Sequence, residues 1–128
     1  MTLLDALRKT ELMWLWLAQN PTKGKEHYPQ ALIDQPTHLC YCCSYVKRLK
    51  GDAFNAGCSD PYSTHDEVLL NLCPLRNFWP TGCQGIGSSY LDWLREGNTT
   101  RTIAATRIAN AAHNEILRLC QKINTTTS

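Results

Sequence analysis

No stretch of this 128-residue chain approaches the roughly 20 consecutive apolar residues that a membrane-spanning helix needs, so a membrane protein is not expected. The start, Met1-Thr2-Leu3-Leu4-Asp5 with charged residues through Glu11, lacks the basic-then-apolar layout of a secretory leader, and the expectation is a protein that is not exported. Charge of one sign is scarce too. Thirteen Lys and Arg against 11 Asp and Glu leave a formal +2, and a four-thiolate zinc site would bring that to about zero, so bulk charge gives little support to nonspecific nucleic-acid binding. No internal repeat and no second domain are evident. The length suits one core, which at this size buries roughly two-thirds of the unfolded surface.

Cysteine, by contrast, is plentiful. Seven cysteines in a chain with no export signal point to thiols or metal rather than disulfides, which are scarce in reducing compartments. An odd number also leaves at least one unpaired in any disulfide scheme. For the same reason the Asn-x-Thr sequons at Asn98 and Asn124 carry no weight.

Punctuation and periodicity predict a mostly α protein. Residues 2–19 read as a helix, with Thr2 and Asp5 placed as a capping box and Asn20-Pro21 as the stop. Its second half, through Trp14-Leu15-Trp16-Leu17, is apolar nearly all round, which predicts burial on more than one side and both tryptophans in the core. Residues 21–39 hold three prolines and predict a wrapping loop with a helical turn near 30–33, and residues 44–50 predict a further turn or two of helix. Residues 51–64 are turn-rich. A short helix from Thr64 or His65 to Leu72, ended by Pro74, and another over 89–95, burying Leu91 and Leu94 and stopped by Gly97, should follow. Residues 99–123 carry a stripe of Ala105, Ile108, Ala109, Ala112, Ile116, Leu119 and Ile123. This last helix should pack on the first, framing a cysteine-rich, zinc-stapled irregular middle, with residues 124–128 frayed.

The metal reading rests on spacing. Zinc takes four soft ligands in a tetrahedron, and a Cys-x-x-Cys turn gives two thiolates from one knuckle whose N–H groups can bond to sulfur. Cys40 and Cys43 have that spacing, and Cys73 and Cys83, beside proline and glycine turns, complete Cys-x2-Cys-x29-Cys-x9-Cys. Cys58 is the main rival for the fourth place, His38 and His65 are lesser ones, and Cys42 could exchange with Cys40 or Cys43. Cys120, beside the last helix's stripe, reads as a buried free thiol. The spacing matches no ferredoxin pattern.

Other motifs are weaker. His65-Asp66-Glu67 has the His-x-Glu of zinc deaminases but in the wrong order relative to the Cys-x-x-Cys. Gly85-Ile86-Gly87-Ser88-Ser89 precedes a helix without a Walker lysine, and a plain turn explains it. No local signal selects a cysteine–histidine nucleophile pair, so no enzymatic activity is expected. Basic residues gather at Lys47, Arg48 and Lys50, and at Arg101, Arg107, Arg118 and Lys122, where they form either a phosphate-binding face or an ordinary solvated one.

Taken together, the segment from Glu11 to Pro21 (Glu-Leu-Met-Trp-Leu-Trp-Leu-Ala-Gln-Asn-Pro), the Cys40-x-x-Cys43-x-Tyr45 knuckle, Cys73-Pro74-Leu75 with Trp79 and Cys83, and Ser89-Tyr90-x-x-Trp93 resemble a group of small cysteine-rich proteins predicted in tailed-phage and prophage genomes. The likeness covers most of the chain up to about Arg95. In that group a cysteine often stands three residues before the Cys-Pro-Leu element, where this chain has Leu70. The resemblance implies a phage accessory protein acting in the cytoplasm of the bacterial host, and no established activity comes with it. The expectation is a zinc-stapled, non-enzymatic module that binds a host protein, with inhibition of a defence system such as CRISPR-Cas as its sharpest form. A small nucleic-acid-binding regulator using Lys47, Arg48, Lys50, Arg107 and Arg118 is the alternative.

Overall fold

The computed structural model describes residues 2–50, 73–79, 83, 87–95 and 97–127. The turn-rich stretch 51–64, the short helix ending at Leu72, Cys58 and His65 lie outside them.

Helix α1 spans Leu3–Gln19. Thr2 caps it as its sequence position predicts: the Thr2 hydroxyl accepts from Asp5 N–H and the Asp5 carboxylate accepts from Thr2 N–H, both at 3.1 Å. Its far end is satisfied more completely than the Asn-Pro stop implied. Asn20 donates from its side chain to Trp16 O (2.8 Å) and from its backbone to Leu17 O (3.2 Å). Ala18 O accepts from the Thr102 hydroxyl at 3.2 Å.

Helix α5, Asn98–Thr127, is the partner of α1. The two run antiparallel, for Thr102 meets Ala18, His113 meets Glu11 at 2.7 Å, and Leu119 and Leu3 line one cleft. At 1.5 Å rise per residue α5 is about 45 Å long and α1 about 25 Å, so the end of α5 projects past the start of α1. The α5 backbone stays helical to Thr127, beyond the fraying point expected at residue 124.

Ala104, Ala105, Ile108, Ala109, Ala112 and Ile116 of α5 share one core with Leu7, Met13, Trp14 and Leu17 of α1. The alanines keep the axes near and the large residues fill the gaps. Burial of α1 is incomplete in its apolar second half: Leu12 and Leu15 are exposed, and Trp16 is half-buried against Tyr28. An all-round apolar sequence predicts neighbours on every side; the described residues supply them chiefly on the α5 and α3 faces and leave Leu12 and Leu15 uncovered.

The expected wrapping loop is more ordered than its prolines suggested. It holds 3-10 turns at Lys25–His27 and Thr37–Leu39 and helix α2, Pro29–Asp34, with Pro29 at a position where a missing N–H costs nothing. Helix α3, Tyr41–Lys50, begins three residues earlier than expected, which puts Cys42 and Cys43 in its first turn. Helix α4, Ser89–Leu94, is N-capped by Ser88 and buries Trp93, while Leu94 faces solvent. Trp93 wins that face because it meets Trp14 edge-on at 5.0 Å while Tyr90 stacks beside it.

Candidate functional site: a thiol cluster at the start of helix α3

Cys40 stands at the N-cap of α3. Its backbone carbonyl accepts from Ser44 N–H at 3.0 Å, the first helical bond, and its sulfur accepts from Cys43 N–H at 3.3 Å. An oxygen side chain commonly occupies that role; here a thiol does, in the N–H to sulfur arrangement of a metal-binding knuckle.

Cys42 points inward. It is 2% exposed, its sulfur lies 3.5 Å from the Thr10 hydroxyl, and it sits in hydrogen-bonding contact with both Cys40 and Cys73. Thr10 also donates to Ala6 O at 2.7 Å, so its hydroxyl is satisfied while it faces the sulfur. The thiols of Cys40, Cys42 and Cys73 thus form a chain, with Cys43 joined to Cys40.

This arrangement splits the thiols electrically. Hydrogen bonds from Cys42 and then Cys43 hold the Cys40 thiol well below its ordinary range, and the nearby Lys25 ammonium and the Cys43 N–H act in the same sense. Cys42 is pushed well above its range by contact with Cys40 and Cys73 and by burial. The two thiols are thus driven in opposite directions by the contact they share. Burial opposes the charge of Lys25, but Tyr90, Cys40 and Cys43 outweigh it and raise its pKa. Lys25 also lies over the Tyr90 ring, 4.7 Å from its centroid, which ties the thiol cluster to α4.

Of the four expected zinc ligands, Cys40 and Cys43 share the knuckle, Cys73 precedes the Pro74 turn within reach of Cys42, and Cys83 is buried with its carbonyl accepting from the Ser88 hydroxyl at 2.5 Å. Among the described residues no group of three or more His, Cys, Asp or Glu side chains is arranged to hold a metal ion. The first pair has donor chemistry that suits zinc: two soft sulfurs on one knuckle and a peptide N–H bonded to the first of them at 3.3 Å. Sequence reasoning had admitted Cys42 only as a stand-in. Its central place depends on where α3 begins, and no local pattern signals that.

The Ser88 hydroxyl donates to Cys83 O and accepts from Leu91 N–H at 3.2 Å, so it serves as the cap of α4; Gly85 and Ile86 lie outside the described residues. The basic residues divide. Lys47 and Arg48 on α3 and Arg107 on α5 are exposed, Arg118 is paired with Glu115, and Arg101 is structural, packed over Trp93 at 4.5 Å and donating to Lys23 O at 3.1 Å. The side chains of Lys50 and Lys122 lie outside the described set.

Comparison with known proteins adds no assignment: no family model, curated protein or solved structure matches the chain. Among the described residues no helix is long and apolar enough to cross a membrane.

Proposed function

We propose that this chain is a non-enzymatic accessory protein of a tailed phage that binds a protein of its bacterial host, in the sharpest form a component of a defence system such as CRISPR-Cas, and that zinc on Cys40, Cys43, Cys73 and Cys83 staples its middle. The observation that carries the binding reading is α2. Its Leu32 and Ile33 are adjacent and 66% and 76% exposed, on a six-residue helix that contributes only Ala31 to the interior. Large aliphatic side chains held in water cost about 25 cal/mol for each Å² left unburied, and a partner recovers that. The phage origin rests on the motif resemblance, and the zinc on the knuckle spacing and the Cys43 N–H bonded to the Cys40 sulfur.

The test is capture of partners from bacterial lysate by the tagged chain, with and without nuclease, beside a Leu32→Glu/Ile33→Glu variant. A protein retained after nuclease and lost with the variant supports the reading. Loss of every partner after nuclease replaces it with the nucleic-acid regulator on Lys47, Arg48, Lys50, Arg107 and Arg118. Elemental analysis of protein purified without added metal addresses the staple: about one zinc per chain, lost in Ser variants of Cys40, Cys43, Cys73 or Cys83, supports it. Metal-free protein with reactive thiols removes it.

A further inference from the structure

A concave feature lies where the start of α1, the turn after Cys73 and the late part of α5 meet. It is a cleft of about 240 Å³. Leu3, Leu7, Pro74 and Leu119 make its apolar floor, and Arg76, Arg118 and Glu115 its charged rim. Leu7 and Pro74 are buried, so the floor is part of the packed interior, while both arginines reach solvent.

The rim is not neutral. Among the described residues Glu115 is bonded to Arg118, which leaves one guanidinium in excess. The hydrogen bond described for Arg76 goes to the uncharged carbonyl of Cys73 at 3.3 Å. At the start of α1, beside Leu3, the positive end of the helix dipole is already met by the Asp5 carboxylate, so the excess positive charge of the rim rests on Arg76. An anion is therefore favoured at the mouth and an aliphatic group at the floor. Size narrows the ligand further. Drug-sized pockets run to roughly 300–1,000 Å³, so this cleft admits about one amino-acid-sized group. An aliphatic chain and a carboxylate that both fit must belong to the same residue. An internal Asp or Glu beside a leucine would need room for two.

We infer that this cleft binds the C-terminal residue of a partner peptide, taking an aliphatic side chain onto Leu3, Leu7 and Leu119 and the terminal carboxylate onto Arg76 and Arg118. This rests on the reading of the chain as a protein-binding module, but its test uses a small fragment and needs no host partner, so the two fail separately. A guanidinium placed beside a second nitrogen donor suits a planar carboxylate, which accepts from both.

The experiment titrates the full chain, with its leucine methyl groups isotopically labelled, with N-acetyl-L-leucine, N-acetyl-L-leucinamide and hexanoate, following methyl resonances by NMR. N-acetyl-L-leucine should produce saturable shifts at Leu3, Leu7 and Leu119, with a millimolar dissociation constant fitting so small a fragment. Removing the carboxylate in the amide, or a charge in Arg76→Gln or Arg118→Gln, should weaken binding about tenfold or more, the size of a lost charge-assisted hydrogen bond. Arg107→Gln, on the same helix but outside the cleft, should change nothing, and an unaltered methyl spectrum elsewhere shows that each variant folds. Shifts absent from those three leucines, or equal for acid and amide, overturn the inference. Hexanoate binding as tightly as N-acetyl-L-leucine assigns the cleft to small carboxylates and also overturns it.

Discussion

Replacing Trp93 with alanine tests whether α4 is docked as an integral part of the core. Trp93 is 4% exposed, meets Trp14 edge-on at 5.0 Å and carries the Arg101 guanidinium 4.5 Å from its ring. Emptying a buried tryptophan site costs about 3–5 kcal/mol. The aromatic pair and the cation contribute about 0.5–1.5 kcal/mol each within that figure. One effect runs the other way. The Trp93 Nε1–H is buried with no partner among the described residues, and removing an unsatisfied donor returns about 1–3 kcal/mol. The net expectation is a loss of about 2 kcal/mol, a sizeable fraction of the roughly 5–15 kcal/mol that stabilises a domain, and a fall in Tm of about 7 °C. Urea unfolding followed by far-UV circular dichroism reads it without relying on the deleted fluorophore. Leu94→Ala, one residue along but 55% exposed, should stay within about 0.5 kcal/mol. A Trp93→Ala loss under about 1 kcal/mol at unchanged m would refute the docking of α4, and so would equal losses for both variants.

Three further outcomes follow from local structure. Thr2→Ala removes half of a reciprocal cap and should cost about 1 kcal/mol in a thermal melt, with Thr2→Ser restoring most of it. Gly97 holds φ +117°, and a Cβ there would meet nothing closer than Thr100 Oγ1 at 3.7 Å, so Gly97→Ala should cost about 1–3 kcal/mol from backbone strain alone, with no steric clash to relieve. Asp34 is held below its ordinary pKa of 3.8, first by the Tyr41 hydroxyl at 2.8 Å and then by Gln30 and Lys9, against a smaller opposing effect of burial. A depressed carboxyl adds stability that is complete above the ordinary value and lost as pH falls through the lowered one. NMR titration of Tyr41→Phe should find Asp34 moved up toward 3.8, and an unmoved Asp34 would remove Tyr41 as the cause.

The terminal helices were legible because their signals are local. The capping box needs three residues of separation, and the Ala105-to-Ile116 stripe repeats within one element, so both appear without knowledge of the neighbours. Where burial depends on how many neighbours arrive, the same reasoning failed. Leu12 and Leu15 look like core residues in sequence, and Leu91 and Leu94 look like the buried pair of their helix. In the structure α1 has partners on two sides, and Trp14 selects Trp93 instead. A six-residue helix has too few turns for periodicity to fix its inward face, so the tertiary aromatic contact decides it.

The thiol cluster shows the same limit one step further on. The Cys40-x-x-Cys43 spacing is visible in any reading of the chain, and the N–H to sulfur bond across it needs only a helix start. Cys42 is different. Successive residues of a helix point about 100° apart, so starting α3 at Tyr41 turns Cys42 inward, between Cys40 on one side and Thr10 and Cys73 on the other. A start at Ser44 would have left its direction open. The three residues by which the sequence misplaced that helix therefore decide whether Cys42 is a bystander or the link between Cys40 and a segment more than 30 positions away.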